Sequence, residues 1–428
     1  MNNPAGEPSK TSPAAKSAMI TVFLVMFIDL LGFGIVLPLI PRYANAKDGI
    51  PAETSNFVRG LAIGGLLSVF SAMQFFFAPL WGRISDRVGR RPILLIGLAG
   101  SVVFYGLFGL VSDLATGWLL IGLIFATRIG AGLSGATIST ASAVIADCTT
   151  KEKRSHGMAL IGAAFGIGFT FGPLIAWAGV ELFPNQHGGP GYLAAFLSLI
   201  ALIIAYRKMP ETLPPGGVQV KRSLLDMKGL YQTLQTPTVG LLVLAFFLTT
   251  FGFANFEGTL SLLTLEVFHF SDRGNYLMFA YIGFVLTVTQ GFIYRRLVKK
   301  MHEAKLMRIG IVAMFVGLGG LALMLALDAP SVGGLMLAAA VCVFGFAFLN
   351  PSLNGLISKR SDPHRQGEIL GINQSFSALA RILGPVIGMI LFTVEGTHVL
   401  PYALAAVMLA FVLVLLTKVK ELAGENVA

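Results

Sequence analysis

The sequence predicts an all-α integral membrane protein, with twelve transmembrane helices in two pseudo-symmetric six-helix halves. Three observations predict it. Of the 428 residues, 55% are apolar and only 12% are charged, whereas a soluble globular domain carries about 25% charge. The apolar residues fall into twelve runs, near 18–40, 58–80, 92–112, 117–146, 156–180, 190–207, 238–264, 275–297, 305–327, 331–357, 367–394 and 398–418. Crossing a bilayer core takes roughly 20 residues at a rise of 1.5 Å each. Finally, Gly168-x3-Gly172-Pro173 in run 5 returns as Ala380-x3-Gly384-Pro385 in run 11.

Taken in order, residues 1–17 form a polar tail with Lys10 and Lys16. The run after it is long, contains Asp29 and lacks a small-x-small cleavage site, so it reads as a retained first span rather than a signal peptide. Residues 18–207 make the N-terminal half. Residues 208–237 hold Pro210, Pro214, Pro215, Gly216 and Gly217 and read as a cytoplasmic linker, with a short amphipathic segment around 224–234. Residues 238–418 make the C-terminal half, and 419–428 a tail. With the N-terminus inside, 25 of the 31 Lys and Arg fall in the tails and in alternate loops. The opposite side keeps Arg42, Lys47, Arg59 and Arg273. That asymmetry predicts cytoplasmic termini in a plasma (cell inner) membrane. It also accounts for a net charge of +10 without nucleic acid. Cys148 and Cys342 form no CxxC, and the six histidines form no i, i+4 pair. Neither a disulfide framework nor a metal site is indicated.

Between spans 2 and 3 lies Gly82-Arg83-Ile84-Ser85-Asp86-Arg87-Val88-Gly89-Arg90-Arg91-Pro92, which reads as a tight turn. Its glycines permit a close reversal, Pro92 suits the opening of the next helix, and its arginines hold it on the cytoplasmic side. Together Gly82, Asp86, Arg87, Gly89, Arg90 and Arg91 resemble the loop signature between helices 2 and 3 of the major facilitator superfamily. A purely topogenic loop would need neither Asp86 nor the glycines. The resemblance extends from about residue 20 to 416. It implies the major facilitator fold, a monomeric transporter, and a substrate held between two halves that rock about it. Span 5 adds Gly162, Gly166, Gly168, Gly172 and Pro173, which resemble the antiporter signature of drug-exporting branches. Ala159 and Ala176-Trp177 depart from that signature. Generic small-residue packing is the competing account of these glycines.

A charge at the centre of a span costs at least about 2.5–3.5 kcal/mol on insertion scales. Asp29, Arg128, Glu257 and Arg381 therefore each require a partner or water. Asp29 sits in Phe27-Ile28-Asp29-Leu30-Leu31-Gly32-Phe33-Gly34, which resembles span 1 of tetracycline and multidrug proton antiporters. It reads as a proton carrier or as one half of a structural ion pair. Arg128, in Arg128-Ile129-Gly130-Ala131-Gly132, looks like the superfamily's span 4 signature, whose arginine is implicated in proton transfer. It is expected to hold Asp29 ionised, or else to pin backbone carbonyls. Glu257 lies among Phe251, Phe253 and Phe256. It reads as part of a cavity for an organic, cationic substrate or as the partner of Arg381. Phe256-Glu257-Gly258-Thr259-Leu260-Ser261, Gln290-Gly291 and Leu379-Ala380-Arg381 resemble the tetracycline-transporter-like branch. Gln74, Asn255, Gln290, Asn350, Asn354, Asn373 and Gln374 are candidate polar residues of a cavity. Interhelical hydrogen bonding is their other account.

The expected function is secondary active transport, with a small organic substrate, protons and the lipid bilayer as partners. No GxxxxGK[ST] is present, so a proton gradient, not ATP or a bound cofactor, is the expected drive. The branch resemblance implies proton-coupled efflux, by antiport, of a drug-like compound such as tetracycline. The competing transport reading is symport or uniport of a small metabolite or organic anion. A receptor or intramembrane enzyme is the reading of another class. Against it, there is no GxSxG or HExxH, and the longest outer loop, about 41–57, is too short for a ligand domain.

Overall fold

A computed structural model of the protein describes residues 13–46, 49–149, 154–184, 186–213, 235–361, 366–396 and 398–417. Among them, every regular element is helical. Ten helices are long and apolar enough to cross a membrane, and Gly166–Leu182 and Leu400–Leu416 are shorter apolar helices. Each predicted span therefore contains a helix. Most of both tails, and the segment expected to be amphipathic around 224–234, lie outside the described residues.

The chain forms two compact units. One comprises Met1–Val36 and Met73–Leu224, the other Leu37–Ala72 and Leu225–Ala428. In the first, Pro13–Val36 of span 1 packs on Arg154–Leu182 of span 5. In the second, Pro237–Glu266 of span 7 packs on Gln366–Glu395 of span 11. The recurring Gly-Pro motif makes both contacts. A Cβ on Gly172 would stand 2.9 Å from the Cα of Gly34, and one on Gly384 would stand 2.9 Å from the carbonyl oxygen of Phe251. Only hydrogen at those positions lets backbone meet backbone. The first unit's core gathers around Val22, Val25, Leu94, Leu98, Val144 and Ile145.

Three spans depart from regular α-helix, and the freed backbone groups find partners, as a membrane interior requires. Span 1 breaks after Val36 and resumes as Ile40–Asn45, because Pro38 and Pro41 offer no N–H. The Pro38 carbonyl accepts from Ser261 Oγ at 2.7 Å and Asn275 Nδ2 at 3.2 Å. Span 4 breaks between Gly117–Ser134 and Ile138–Cys148. There the Leu133 carbonyl accepts from Trp81 Nε1 at 2.8 Å, and the Gly135 carbonyl from Gln74 Nε2 at 3.0 Å. Span 8 widens to a π-helix over Thr289–Tyr294, a form that favours functional positions.

The reversal between spans 2 and 3 is far tighter than the expected turn over 82–92. Asn56–Val88 remains helical through the motif, and Arg90–Leu114 begins two residues later. Gly89 alone turns the chain, at φ 112°. Gly82 instead lies within a helix, where a Cβ would meet Ser139 Oγ at 3.0 Å. Pro92 takes the third helical position rather than opening the helix. Its missing N–H is harmless there, since the first four N–H groups of a helix have no internal acceptor.

Candidate functional site

Span 1 carries Asp29 into the interior of the first unit, where it is 5% exposed. The break in span 4 decides its surroundings. Thr137 stands in that break, and its Oγ1 donates to Asp29 Oδ2 at 3.1 Å. Ser101 of span 3 donates to Oδ1 at 3.4 Å. Arg128 is equally buried, but its guanidinium lies 6.0 Å from the centroid of the Phe33 ring. The expected Asp29–Arg128 ion pair is therefore replaced by a hydroxyl-bonded carboxyl group and an arginine over an aromatic face. The cause is local: Phe33, one turn along from Asp29, offers the cation its ring, while the hydroxyls satisfy the acid. Tyr105 of span 3 fills the space beside Gly32. A hydroxyl both donates and accepts, so this shell suits Asp29 with or without its proton.

Span 7 places Glu257 inside the second unit. Arg381 stands on span 11, which packs on span 7; the sequence left open whether the two pair or Glu257 faces a cavity. They form no ion pair within 4.0 Å, and Glu257 Oε1, fully enclosed, has no hydrogen-bond partner among the described residues. Arg381, half-buried, donates to Ser377 Oγ at 3.1 Å. One helical turn before Glu257, Phe253 stacks on Phe346 of span 10, with centroids 3.8 Å apart. Asn373 Nδ2 donates to Asn354 Oδ1 at 3.0 Å, and Asn354 Nδ2 to the Asn350 side chain at 2.9 Å. These three asparagines thus join spans 10 and 11. Gln290 lies in the π-helix and Gln374 is exposed. Asn255 turns to span 12 instead, donating to the Pro401 carbonyl at 2.8 Å. Gln74, which binds the break in span 4, and Asn255 are structural ties in this arrangement.

In the motif between spans 2 and 3, Arg90 binds Asp86, Ser85 and Asp147. Glu211 completes the motif, and sequence reasoning missed it. Its oxygens accept the backbone N–H groups of Arg90 (2.9 Å), Arg91 (3.2 Å), Thr212 (2.9 Å) and Leu213 (2.9 Å). Burial pushes its pKa up, but these four bonds outweigh burial and leave it below the ordinary carboxylate value. An anion at the start of span 3 also meets the positive end of that helix. The one signal was an acid directly after Pro210, inside a stretch read as linker. Ser101, Thr137 and Tyr105 were missed because a lone hydroxyl in a span carries no spacing pattern. Arg42 had been assigned only a side of the membrane. It is 7% exposed and binds Asp272 Oδ1 at 2.6 Å and the Phe270 carbonyl at 3.0 Å.

Comparison with known proteins matches residues 22–385 and 332–427 to the Major Facilitator Superfamily. The chain is 30% identical to mouse major facilitator superfamily domain-containing protein 10, over 92% of this chain and 91% of that one. It is 28% identical to the class E tetracycline resistance protein of Escherichia coli, over 88% of each. It is similar to the crystal structure of the human organic anion transporter MFSD10, with a TM-score of 0.67 and 26% identity, covering 95% of this chain and 100% of that one.

Proposed function

The chain belongs to the major facilitator superfamily, and from that premise we propose that this multi-pass membrane transporter couples proton entry to the export of a drug-like organic compound. One observation carries the reading: Asp29 is a buried carboxyl group whose partners are hydroxyls, not a fixed cation. Ionised, Asp29 accepts from Ser101 and Thr137. Protonated, it donates to one of them and sheds its charge. Arg128 remains a cation in both states, so protonation changes the charge of the cluster by one unit. A substrate that prefers one of these states exchanges for the proton, and linkage makes the preference reciprocal. Alternating exposure of the two states to the two sides of the membrane then gives antiport.

Relatives named for tetracycline resistance and a solved structure named for organic anion transport support an amphipathic organic substrate. The Lys and Arg asymmetry supports cytoplasmic termini in the plasma (cell inner) membrane, and the fold commonly works as a monomer. The test is proton release from purified, detergent-solubilised protein on addition of a panel of tetracyclines and lipophilic cations. Wild type should release protons on binding and Asp29→Asn should not. Binding without release by wild type would end the antiport reading and return Asp29 to a structural role.

A further inference from the structure

The second unit holds an arrangement that proton exchange at Asp29 does not use. Glu257 is 9% exposed, and its Oε1 has no hydrogen bond among the described residues. An ionised carboxylate is expensive in that condition, and a protonated one much less so. Arg381 lies on span 11, which packs on span 7; it is half-buried and spends one donor on Ser377. A guanidinium has five donors in a fork that fits a carboxylate. The other helices packed on span 7 are spans 8, 10 and 12 and the segment Ile40–Asn45. Their titratable or charged groups are Asp272, Arg273, Tyr276, Tyr281, Tyr294, Arg295 and Arg296 of span 8, Cys342, Lys359 and Arg360 of span 10, Tyr402 of span 12, and Arg42 and Tyr43. Among the described residues, Arg381 is the charge that acts on Glu257.

We propose that this cluster is an anion site: the carboxylate of an aromatic organic substrate docks on Arg381, and Glu257, relieved as its counter-charge, takes up one proton. Charge balances. Glu257 and Arg381 sum to zero before binding. Protonated Glu257, Arg381 and the monoanion sum to zero after it. A cationic ligand would instead leave the cluster with a net positive charge in a low-dielectric interior. The stacked Phe253 and Phe346 rings supply apolar surface for the aromatic body. The proposal deepens the transport reading and rests on it, while using different residues.

The test uses full-length protein carrying Asp29→Asn, which silences the exchange proposed above. Calorimetry in two buffers of different ionisation enthalpy follows 2-naphthoate, 2-naphthalenesulfonate, neutral 2-naphthamide and 2-naphthylmethylammonium. Both anions should bind at least tenfold tighter than the amide, with uptake of one proton, and tighten as pH falls. Adding Glu257→Gln should keep anion binding but remove proton uptake and pH dependence. Adding Arg381→Gln should remove the preference for anions, with Arg381→Lys retaining part of it should the glutamine variant fail to fold. Amide or ammonium binding as tight as the anions, an anion preference that survives Arg381→Gln, or proton uptake that survives Glu257→Gln would each overturn the anion site. For an anion, uptake at Glu257 would offset release at Asp29 in wild type, so release through Asp29 is read there with the lipophilic cations.

Discussion

At Gly89 a side chain has nowhere to go. Its φ of 112° and ψ of 156° lie in a region open essentially to glycine, and holding another residue there costs on the order of 1–3 kcal/mol. A Cβ would also stand 2.4 Å from Glu211 Oε2, the carboxylate that binds the first N–H groups of span 3. Gly82, seven residues earlier, is helical and faces only the Ser139 side chain at 3.0 Å. Gly89→Ala should therefore lower the melting temperature of the purified protein by several degrees, while Gly82→Ala stays close to wild type. Equal shifts would mean that the reversal does not depend on Gly89. The two glycines look alike in sequence, where both read as turn residues. Only the path of the backbone separates them, and an eleven-residue motif does not specify that path. Asn255 makes the same point. It lies two residues before Glu257, so the two project from different sides of the helix, and a list of polar residues cannot show which side faces a neighbouring span.

Among the elements, the small-residue faces of spans 5 and 11 were the most legible feature, though not that they meet spans 1 and 7. They depend on the absence of side chains, and absence is visible in sequence. The Gly-Pro repeat marked both faces, and both make close backbone approaches. The breaks in spans 1 and 4 were less legible. Pro38 and Pro41 stand in the sequence at the first, yet the apolar run there reads as one span to residue 40. The second centres on Gly135 among other small residues, and no proline marks it. That break matters most for the candidate site, because it delivers Thr137 to Asp29. A prediction belongs to this scale. A Cβ on Gly172 meets the backbone of Gly34 and Leu31 at 2.8–3.0 Å, and backbone cannot swing aside. Gly172→Ala should destabilise by about 1–3 kcal/mol, as overpacking does, and Gly172→Val by more. Gly291, with nothing within 4 Å of a Cβ, should accept alanine without loss. Thermal unfolding of the three variants in one detergent checks this ordering, and a Gly172→Ala protein as stable as Gly291→Ala would contradict it.

For the whole molecule, orientation sets which face each loop presents to the cytoplasm, while the gradients and the exchange itself set the direction of antiport. Orientation follows from the Lys and Arg of short loops near span ends. The loop between spans 8 and 9 illustrates its strength, with Arg295, Arg296, Lys299, Lys300, Lys305 and Arg308 clustered there, against Arg42, Lys47 and Arg59 between spans 1 and 2. Both native cysteines are buried, so an exposed cysteine introduced into the chain reports its own side. Glu53 and Lys300 are exposed and lie on opposite predicted sides. In intact cells, a membrane-impermeant maleimide should label Glu53→Cys directly and Lys300→Cys only after permeabilisation. The reverse pattern would invert the molecule. Inward protons would still exchange for outward substrate, but the positive charge of the loops would have lost to some stronger determinant in the first span.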